Sequence, residues 1–303
     1  MRSKELFFAA MRMIRWIFPA ALLAYLAYSL YDLGWVQIRQ SLPTDWLFYA
    51  LLLASYFIQP VADLIVYRHL WKTAAPIGLA VFLRKRFMNG TLFAYSGEGY
   101  LFLWAKQNLQ IPKGLLLHAI KDSNLLSATA ALMVFLGLLI VLALSGQWQI
   151  PVVLDGNLWI YAVVICFPLV LGIGFVLARK KVTALRSDQI AFTFAVHCVR
   201  TVVSHASQVA LWSLAMPAIP LAAWLNFLAF RILVSRLSFV GANGILLVTT
   251  GIAFAGTLGL PPAGIAGVLL TIVAAEQLLT AVLVGVPWLI GRGALVAQAN
   301  PAR

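Results

Sequence analysis

The sequence predicts an all-α protein, a polytopic bundle of transmembrane helices. The chain has 303 residues, of which 63% are hydrophobic and only 10% are charged, whereas a soluble domain carries about a quarter charged residues. A soluble fold cannot hide so much apolar surface, so most of it must face lipid. At about 20 residues per span, the length allows about seven or eight spans, counting two broken or re-entrant segments. We expect residues 1–303 to form a single integral membrane domain, because no polar stretch is long enough for a separate soluble one.

The charges predict how the bundle lies in the membrane. The formal net charge is +13, and the basic residues gather in a few loops, as they do in cytoplasmic loops of membrane proteins. Arg2, Lys4 and Arg12 precede the first apolar run, which predicts a cytoplasmic N-terminus in a bacterial-type inner membrane. No small-x-small cleavage site follows, so an uncleaved span is favoured over a signal peptide. The expected partners are membrane lipids with anionic headgroups rather than nucleic acid.

Apolar runs of span length alternate with loops that are either basic or free of Lys and Arg. The predicted spans lie near 14–33, 46–66, 115–144, 158–177, 190–214 and 222–234. Trp35 and Trp46 flank the first predicted outer loop, which is the interfacial position that tryptophan prefers. Pro60 is expected to kink the second span. A last apolar run, 263–290, carries Glu276 near its middle, and the side on which the C-terminus lies stays open.

Residues 87–103 are too irregular for a plain span. They contain Asn89-Gly90 and Ser96-Gly97-Glu98-Gly99; glycine lowers helix stability, and a glutamate is costly in lipid. A broken or re-entrant segment fits them better. Residues 77–83, just before them, are apolar but too few to cross a bilayer, which predicts an interfacial helix.

Residues 238–260 form a second irregular segment. It opens with Gly241-Ala242-Asn243-Gly244 and ends at Pro261-Pro262, a combination that breaks helices. Two such segments in corresponding halves of a fold indicate a transporter binding site. The alternative is two unrelated loops.

Ionisable residues inside apolar segments are functional candidates, because burying their charge is costly. Glu98 lies between two glycines, so its carboxylate could meet an ammonium headgroup, a cation or a proton. The alternative is an ion pair with Arg84 or Lys106 at the inner surface. Glu276 could remain neutral or pair with an arginine.

Helical spacing places a polar stripe on the fifth span, formed by His197, Thr201, Ser204 and Gln208, with Arg200 beside it. The stripe should face the bundle interior, where it would line a hydrated path or make interhelical hydrogen bonds. Together these patterns predict one set of substrate-binding residues. Its members are Gly97, Glu98, His197, Arg200, Arg231, Arg236, Gly241, Asn243, Gly244 and Glu276.

Known catalytic and metal motifs are missing from the sequence. There is no H-E-x-x-H motif, nucleophile elbow or Walker A loop, and no cofactor or metal is expected. Cys166 and Cys198 lie in apolar segments and predict no disulfide. His118 and Asp122, one helical turn apart, leave a weak alternative, an intramembrane acyltransferase. The protein is otherwise expected not to be an enzyme.

Two segments resemble one known family. Residues 93–106 (FAYSGEGYLFLWAK), followed by 114–132, resemble the Gly-Glu segment and following helix of the lysylphosphatidylglycerol synthase transmembrane-region (flippase-like) family. Residues 237–244 (LSFVGANG) and 258–261 resemble its late Gly-rich segment. Gly97, Glu98, Gly241 and Gly244 carry over, whereas Ser96 stands where the family usually has proline, and the arginine after the glutamate, the late Pro-Gly-Gly and the Arg-Glu pair are missing.

The resemblance implies a membrane bundle that handles lipids. The expected function is therefore a lipid translocase or lipid-binding transporter that holds a polar headgroup between the two broken segments. Aminoacyl transfer is not expected, because no soluble synthase domain is present. Two alternatives stay open: a proton-coupled transporter of a small solute, and a non-catalytic scaffold for a partner enzyme in the membrane. The oligomeric state is left open.

Overall fold

The computed structural model describes residues 24–72, 77–91, 95–148, 170, 183–236 and 243–285. These residues are helical apart from short turns, and they contain no strand, which confirms the all-α prediction for this part of the chain. Residues 24–33 are helical as well, and the numbered helices follow them. They are α1 (Trp35–Gln40), α2 (Trp46–Trp71), α3 (Leu79–Thr91), α4 (Ser96–Asn108), α5 (Lys113–Leu144), α6 (Ser187–Ala215), α7 (Leu221–Arg236), α8 (Asn243–Thr257) and α9 (Pro262–Thr280), which continues as a π-helix over Ala281–Gly285.

Three helices are long and apolar enough to cross a membrane: Trp46–Trp71, Lys113–Leu144 and Pro262–Val284. Helix α6 has 29 residues and is about 43 Å long. It is less apolar than the three helices above, because it carries more polar residues. Two shorter helical stretches, Leu221–Leu233 and Ile245–Thr257, are apolar as well. These are the helices of a membrane protein, while the count of seven or eight spans stays a prediction. The first part of the first predicted span (14–23) and, apart from residue 170, the fourth (158–177) lie outside the described residues.

Helix α2 begins at Trp46, where the sequence places the second span, but it runs five residues further than predicted. Pro60 lies inside the helix without ending it. Tyr67 and Trp71 of this extra turn are buried, and their ring centroids lie 4.7 Å apart. Aromatic packing therefore carries the helix beyond the apolar run into the region where the charges begin.

The first irregular segment differs in detail from the prediction. Helix α3 takes up residues 79–83 of the expected interfacial helix (77–83) as well as Asn89-Gly90. It ends at Thr91, and α4 begins at Ser96. Hydrogen bonds join the facing ends of these two helices. The Ser96 hydroxyl donates to the carbonyl of Met88 at 2.6 Å, and the Gly97 N–H donates to Oδ1 of Asn89 at 2.7 Å. Polar side chains thus form hydrogen bonds with backbone groups at the end of α3 and at the start of α4, where a helix leaves such groups without partners.

Helices α3 and α4 form a short helical hairpin. Each has 13 residues and a length of about 20 Å, less than the ~30 Å of a bilayer's hydrocarbon core. Phe82 and Leu101 pack with Tyr67 and Leu116 in one buried cluster. The segment is therefore broken, as the sequence indicates, and two half-length helices replace one span.

The second irregular segment is also shorter than a span. Helix α8 has 15 residues and a length of about 22 Å. It ends in a turn in which Gly259 has φ +65°, a left-handed conformation that favours glycine. Pro262 then opens α9. Residues 237–242, including Gly241, lie outside the described residues.

The chain divides into two compact units. The first takes the described residues up to Tyr49, those of Phe135–Tyr161 and Gln208–Val273. Its core is aromatic, with Trp212, Trp224 and Phe227 at centroid distances of 5.0–6.1 Å.

The second unit takes the described residues of Ala50–Val134, Ala162–Ser207 and Ala274–Arg303. It holds the α3–α4 hairpin, whereas α8 belongs to the first unit. The prediction of a single domain over 1–303 stays a prediction.

We predict that Gly97→Ala destabilises the hairpin by about 1–3 kcal/mol. A Cβ at Gly97 would contact the backbone carbonyl of Lys85 and lie 2.8 Å from the Asn89 side chain, so α3 and α4 would have to separate. Thermal unfolding in detergent micelles measures the loss. Gly99→Ala is the matched control, because a Cβ there meets nothing within 4 Å and alanine favours a helix. Equal melting temperatures for the two variants would contradict the close packing.

Candidate functional site

A buried ionic cluster lies in the second unit. The Lys85 ammonium is 2.8 Å from Oδ2 of Asp63 and 3.4 Å from Oε1 of Glu98. The three side chains are 4%, 5% and 14% exposed, respectively. One buried cation is therefore shared by two carboxylates, and burial of this kind is tolerated only when the charges are paired.

Three separate helices deliver these groups. Asp63 lies on α2, one turn before Tyr67, while Lys85 lies on α3 and Glu98 in the first turn of α4. The ammonium of Lys85 lies 5.5 Å from the centroid of the Tyr67 ring, a favourable cation–π position. A carboxylate in the first turn of a helix is favoured by the helix dipole.

One buried polar atom in this cluster has no hydrogen-bond partner among the residues that the structure describes. It is Oε2 of Glu98. Buried polar groups are normally hydrogen-bonded. Glu98 therefore binds Lys85 with one oxygen and has the other available for a further group.

A second ion pair joins Arg86 to Glu276 at 3.2 Å. The guanidinium also donates to the carbonyl of Tyr56 at 3.0 Å and lies 4.3 Å from the centroid of its ring. The Tyr56 hydroxyl is 2.9 Å from Oγ1 of Thr280. The sequence leaves two possibilities for Glu276, a neutral carboxyl group and an ion pair with an arginine. The structure shows the ion pair.

The polar stripe on α6 faces inward. His197 and Thr201 are buried, while Val199 and Val202 are exposed. Nε2 of His197 is 3.1 Å from the Ser123 hydroxyl, and its Nδ1 is buried without a hydrogen-bond partner in the described part of the chain. One turn further on, Arg200 donates to the Ser127 hydroxyl at 3.0 Å. Ser204 and Gln208, at the far end of the stripe, are half-buried.

The other predicted site residues that the structure describes, Arg231, Arg236, Asn243 and Gly244, belong to the first unit. Arg231 donates to the Gln208 side chain and lies 6.0 Å from the centroid of Trp212. The side chains of Arg236 and Asn243, and the surroundings of Gly241 and Gly244, lie outside what the structure describes. The second unit thus holds Gly97, Glu98, His197, Arg200 and Glu276.

Two central residues of the cluster are not among the predicted site residues. Asp63 reads in sequence as an interfacial or paired carboxylate, and Lys85 as part of the basic run Arg84-Lys85-Arg86. The signal that could identify Lys85 is helical spacing, since it lies one turn after the apolar Val81, and all three of Val81, Phe82 and Lys85 are buried. Arg84, by contrast, is exposed.

The predicted His118–Asp122 pair is not joined in the structure. His118 is exposed, whereas Asp122 is buried and accepts from the Thr183 hydroxyl at 2.8 Å and from the Ala184 N–H at 3.0 Å. Within the described ranges, no three His, Cys, Asp or Glu side chains form a group that could hold a metal ion. Cys198 is a free thiol.

One ion pair lies outside the membrane-spanning segments, at the exposed start of α6. Arg186 donates to both carboxylate oxygens of Asp188, at 3.0 and 2.5 Å. These bonds hold the pKa of Asp188 at about 2. The pair is therefore present above the ordinary pKa of an aspartate and is lost only as the pH falls towards 2.

Comparison with known proteins finds no matching family model, no matching curated protein and no matching solved structure.

We predict that Lys85→Met destabilises the protein by about 3–5 kcal/mol, because it leaves two carboxylates buried without a cation. Unfolding in mixed micelles of detergent and denaturant measures the change. Adding Asp63→Asn in the same chain should restore part of the loss. Lys106→Met, at an exposed position of α4, is the matched control. A loss no greater than that of the control would show that Lys85 does not hold the cluster together.

Proposed function

We propose that the chain is a membrane lipid translocase or lipid-binding transporter, placed in the inner membrane with its N-terminus in the cytoplasm. Glu98 is the group that holds the polar lipid headgroup. The observation that carries the proposal is its geometry: the carboxylate is 14% exposed and binds Lys85 through Oε1, and none of the described residues gives its Oε2 a hydrogen bond. A carboxylate so placed suits an ammonium group or another hydrogen-bond donor of a headgroup.

The α3–α4 hairpin supports this proposal. Half-length helices place a polar helix end at a depth that a complete span would fill with apolar side chains. Ser96, Gly97 and Glu98 form the first turn of α4 and would lie at such an end. A headgroup could be held there while its acyl chains remain in the bilayer.

Positive charge near the hairpin supports it as well. Lys72, Arg84, Lys106 and Lys113 are exposed basic residues of the same unit, and basic residues at an inner membrane surface attract anionic lipids. The resemblance to the flippase-like family rests on Gly97 and Glu98 within this unit. Lipid handling is therefore proposed from both chemistry and resemblance.

Reconstitution in liposomes with fluorescently labelled lipids tests the proposal. We expect lipid movement above that of empty liposomes, and a loss of about tenfold or more in Glu98→Gln, which removes the charge but keeps the shape. Asp188→Asn, at an exposed carboxylate outside the hairpin, is the matched control and should leave the rate unchanged. No movement of any lipid across a broad panel would count against the proposal.

A second candidate function, a proton-coupled transporter of a small solute, is favoured by one observation. Among the described residues, Lys85 is the one cation within 4.0 Å of both Asp63 and Glu98. Two carboxylates beside one ammonium leave the cluster with one formal negative charge that Lys85 does not balance. Either carboxylate could thus carry a proton through the transport cycle.

This candidate predicts uptake driven by a pH gradient in proteoliposomes. Glu98→Gln would abolish that dependence, because an amide cannot exchange the proton, while uptake down a solute gradient would persist. Measurement at equal pH on both sides separates coupling from transport itself. Lipid movement that is independent of a pH gradient would exclude proton coupling and leave the first proposal in place.

A further inference from the structure

A line of buried polar side chains connects three helices of the second unit. The Ser123 hydroxyl on α5 is 3.1 Å from Nε2 of His197 on α6. The hydroxyl of Tyr67, on α2, is also within hydrogen-bonding reach of Ser123. These three side chains are 0–2% exposed, so neither solvent nor lipid reaches them. One serine thus links a tyrosine of one helix to a histidine of another.

The ionic cluster of Lys85 adjoins the tyrosine end of this line. The Lys85 ammonium lies 5.5 Å from the centroid of the Tyr67 ring, and the carboxylates of Asp63 and Glu98 are within electrostatic reach of the tyrosine. Two carboxylates and one ammonium give the cluster one unbalanced negative charge. Oε2 of Glu98 is buried, and none of the described residues donates a hydrogen bond to it. This oxygen is therefore suited to hold a proton.

The histidine end of the line leads to further buried polar atoms. Nδ1 of His197 has no hydrogen-bond partner in the described part of the chain. Thr193, one turn earlier on α6, is fully buried, and no described group bonds to its hydroxyl either. The His69 ring stacks on Phe192 at 4.1 Å between centroids, and its Nε2 is likewise buried without a partner among the described residues. Unused hydrogen-bonding capacity therefore continues from His197 towards the start of α6.

These atoms lead towards helix ends at which basic residues gather. His69 lies two residues before the end of α2 at Trp71, and Thr193 is in the second turn of α6. The charge pattern predicts that these ends face the cytoplasm. Asp63 lies eight residues before Trp71, about 12 Å deeper along the helix. Five side chains thus connect the predicted inner surface with the ionic cluster, and we call them the polar file: His69, Thr193, His197, Ser123 and Tyr67.

Helix packing alone does not explain the polar file. Hydrogen bonds between membrane helices are a common use of polar residues, and a second hydroxyl opposite Ser123 would serve that purpose. His197 adds a second ring nitrogen, and a buried nitrogen without a hydrogen bond lowers stability. A neutral imidazole can take up a proton at one nitrogen and release one from the other, and a hydroxyl can both donate and accept. These are the residue types that pass protons.

We propose that the polar file is a proton relay, which carries protons from the inner surface to Oε2 of Glu98. A proton binds to Nδ1 of His197 while the proton on Nε2 passes to the oxygen of Ser123. The serine passes its own proton to the oxygen of Tyr67, and the tyrosine passes its proton to Glu98. Each relay group gains one bond to hydrogen and loses one. The net change is one proton taken from the inner solution and one bound to the carboxylate.

Buried water would complete the relay between side chains that are not in direct contact. Water commonly bonds to buried polar atoms that the protein leaves without partners, and it would join His69 and Thr193 to Nδ1 of His197. This inference rests on the proton-coupled candidate function. It gives the route by which the coupling proton reaches Glu98 and the side from which that proton enters.

The charges around His197 favour passing a proton on over keeping it. Arg200 on the same helix, Lys85 on α3 and Asp63 on α2 are within electrostatic reach of the imidazole, while α5 presents the neutral hydroxyl of Ser123. The two cations oppose a lasting positive charge on the ring, and one carboxylate favours it. A proton that reaches the ring is therefore released towards the cluster, whose net charge is negative.

Infrared difference spectroscopy on the purified full-length protein tests the relay without a transported solute. Light-triggered release of acid lowers the pH, and the C=O stretching band of a protonated carboxyl group then grows with time. Glu98→Gln identifies the band by removing it. We expect the band to grow about tenfold or more slowly in Ser123→Ala than in the wild type, with the same final amplitude, because the route is broken and the carboxylate is intact. Ser123→Thr keeps a hydroxyl and should restore most of the rate.

Two further measurements separate the relay from a structural role. Ser127→Ala, one turn further along α5, is the matched control: its hydroxyl bonds to Arg200 and is not part of the polar file, so the wild-type rate is expected. Wild-type protein in proteoliposomes of one orientation gives a comparison that needs no variant to fold. Acid added on the side where Arg186 is exposed should protonate Glu98 faster than acid added on the opposite side.

The possible results either support the relay or overturn it. Equal rates in Ser123→Ala and the wild type, or with acid on either side, would overturn it. So would a carboxyl band that survives Glu98→Gln and is lost in Asp63→Asn, or no band at any pH at which the protein stays folded.

Failure of the relay and failure of proton coupling are distinguishable. Protonation of Glu98 that depends on the Ser123 hydroxyl, without any uptake driven by a pH gradient, would support the relay and count against proton-coupled transport. Uptake driven by a pH gradient, with an unchanged rate of Glu98 protonation in Ser123→Ala, would support coupling and overturn the relay.

Discussion

The second unit depends on one constraint: a charge placed among apolar helices must be paired. Lys85 meets this constraint by binding Asp63 on one helix and Glu98 on another. The pairing fixes the α3–α4 hairpin against α2, and the Tyr67 ring lies beneath the ammonium. Removal of one partner from such a buried pair leaves an uncompensated charge, which is strongly destabilising.

The same constraint orders the rest of the unit. Arg86 uses Glu276 and the Tyr56 carbonyl, and Asp122 uses Thr183 and Ala184. These charged groups are matched locally, by partners on a different helix or loop. Glu98 stands apart, because its Oε2 is buried and has no hydrogen-bond partner among the described residues.

The sequence predicts the helical class and the positions of α2, α5, α6 and α7 well, because apolar runs of span length have few alternatives. It also indicates Glu98 as a candidate site residue. Helical spacing alone predicts which face of α6 is directed inward. The sequence does not reveal that Lys85, in the basic run Arg84-Lys85-Arg86, is buried in the core. Nor does it reveal the caps between Ser96 and Met88 and between Asn89 and Gly97, because partners across a break depend on how two helices pack.

The hairpin has a consequence for how the protein is made. Neither α3 nor α4 is long enough to be inserted as a span, yet each is capped by the other at the break. Entry of either helix into a bilayer without the other would expose the uncapped backbone groups at the break to lipid. Entry of α3 without α2 would likewise separate the Lys85 ammonium from its counter-ion, Asp63. The hairpin thus makes the membrane insertion of these three helices interdependent.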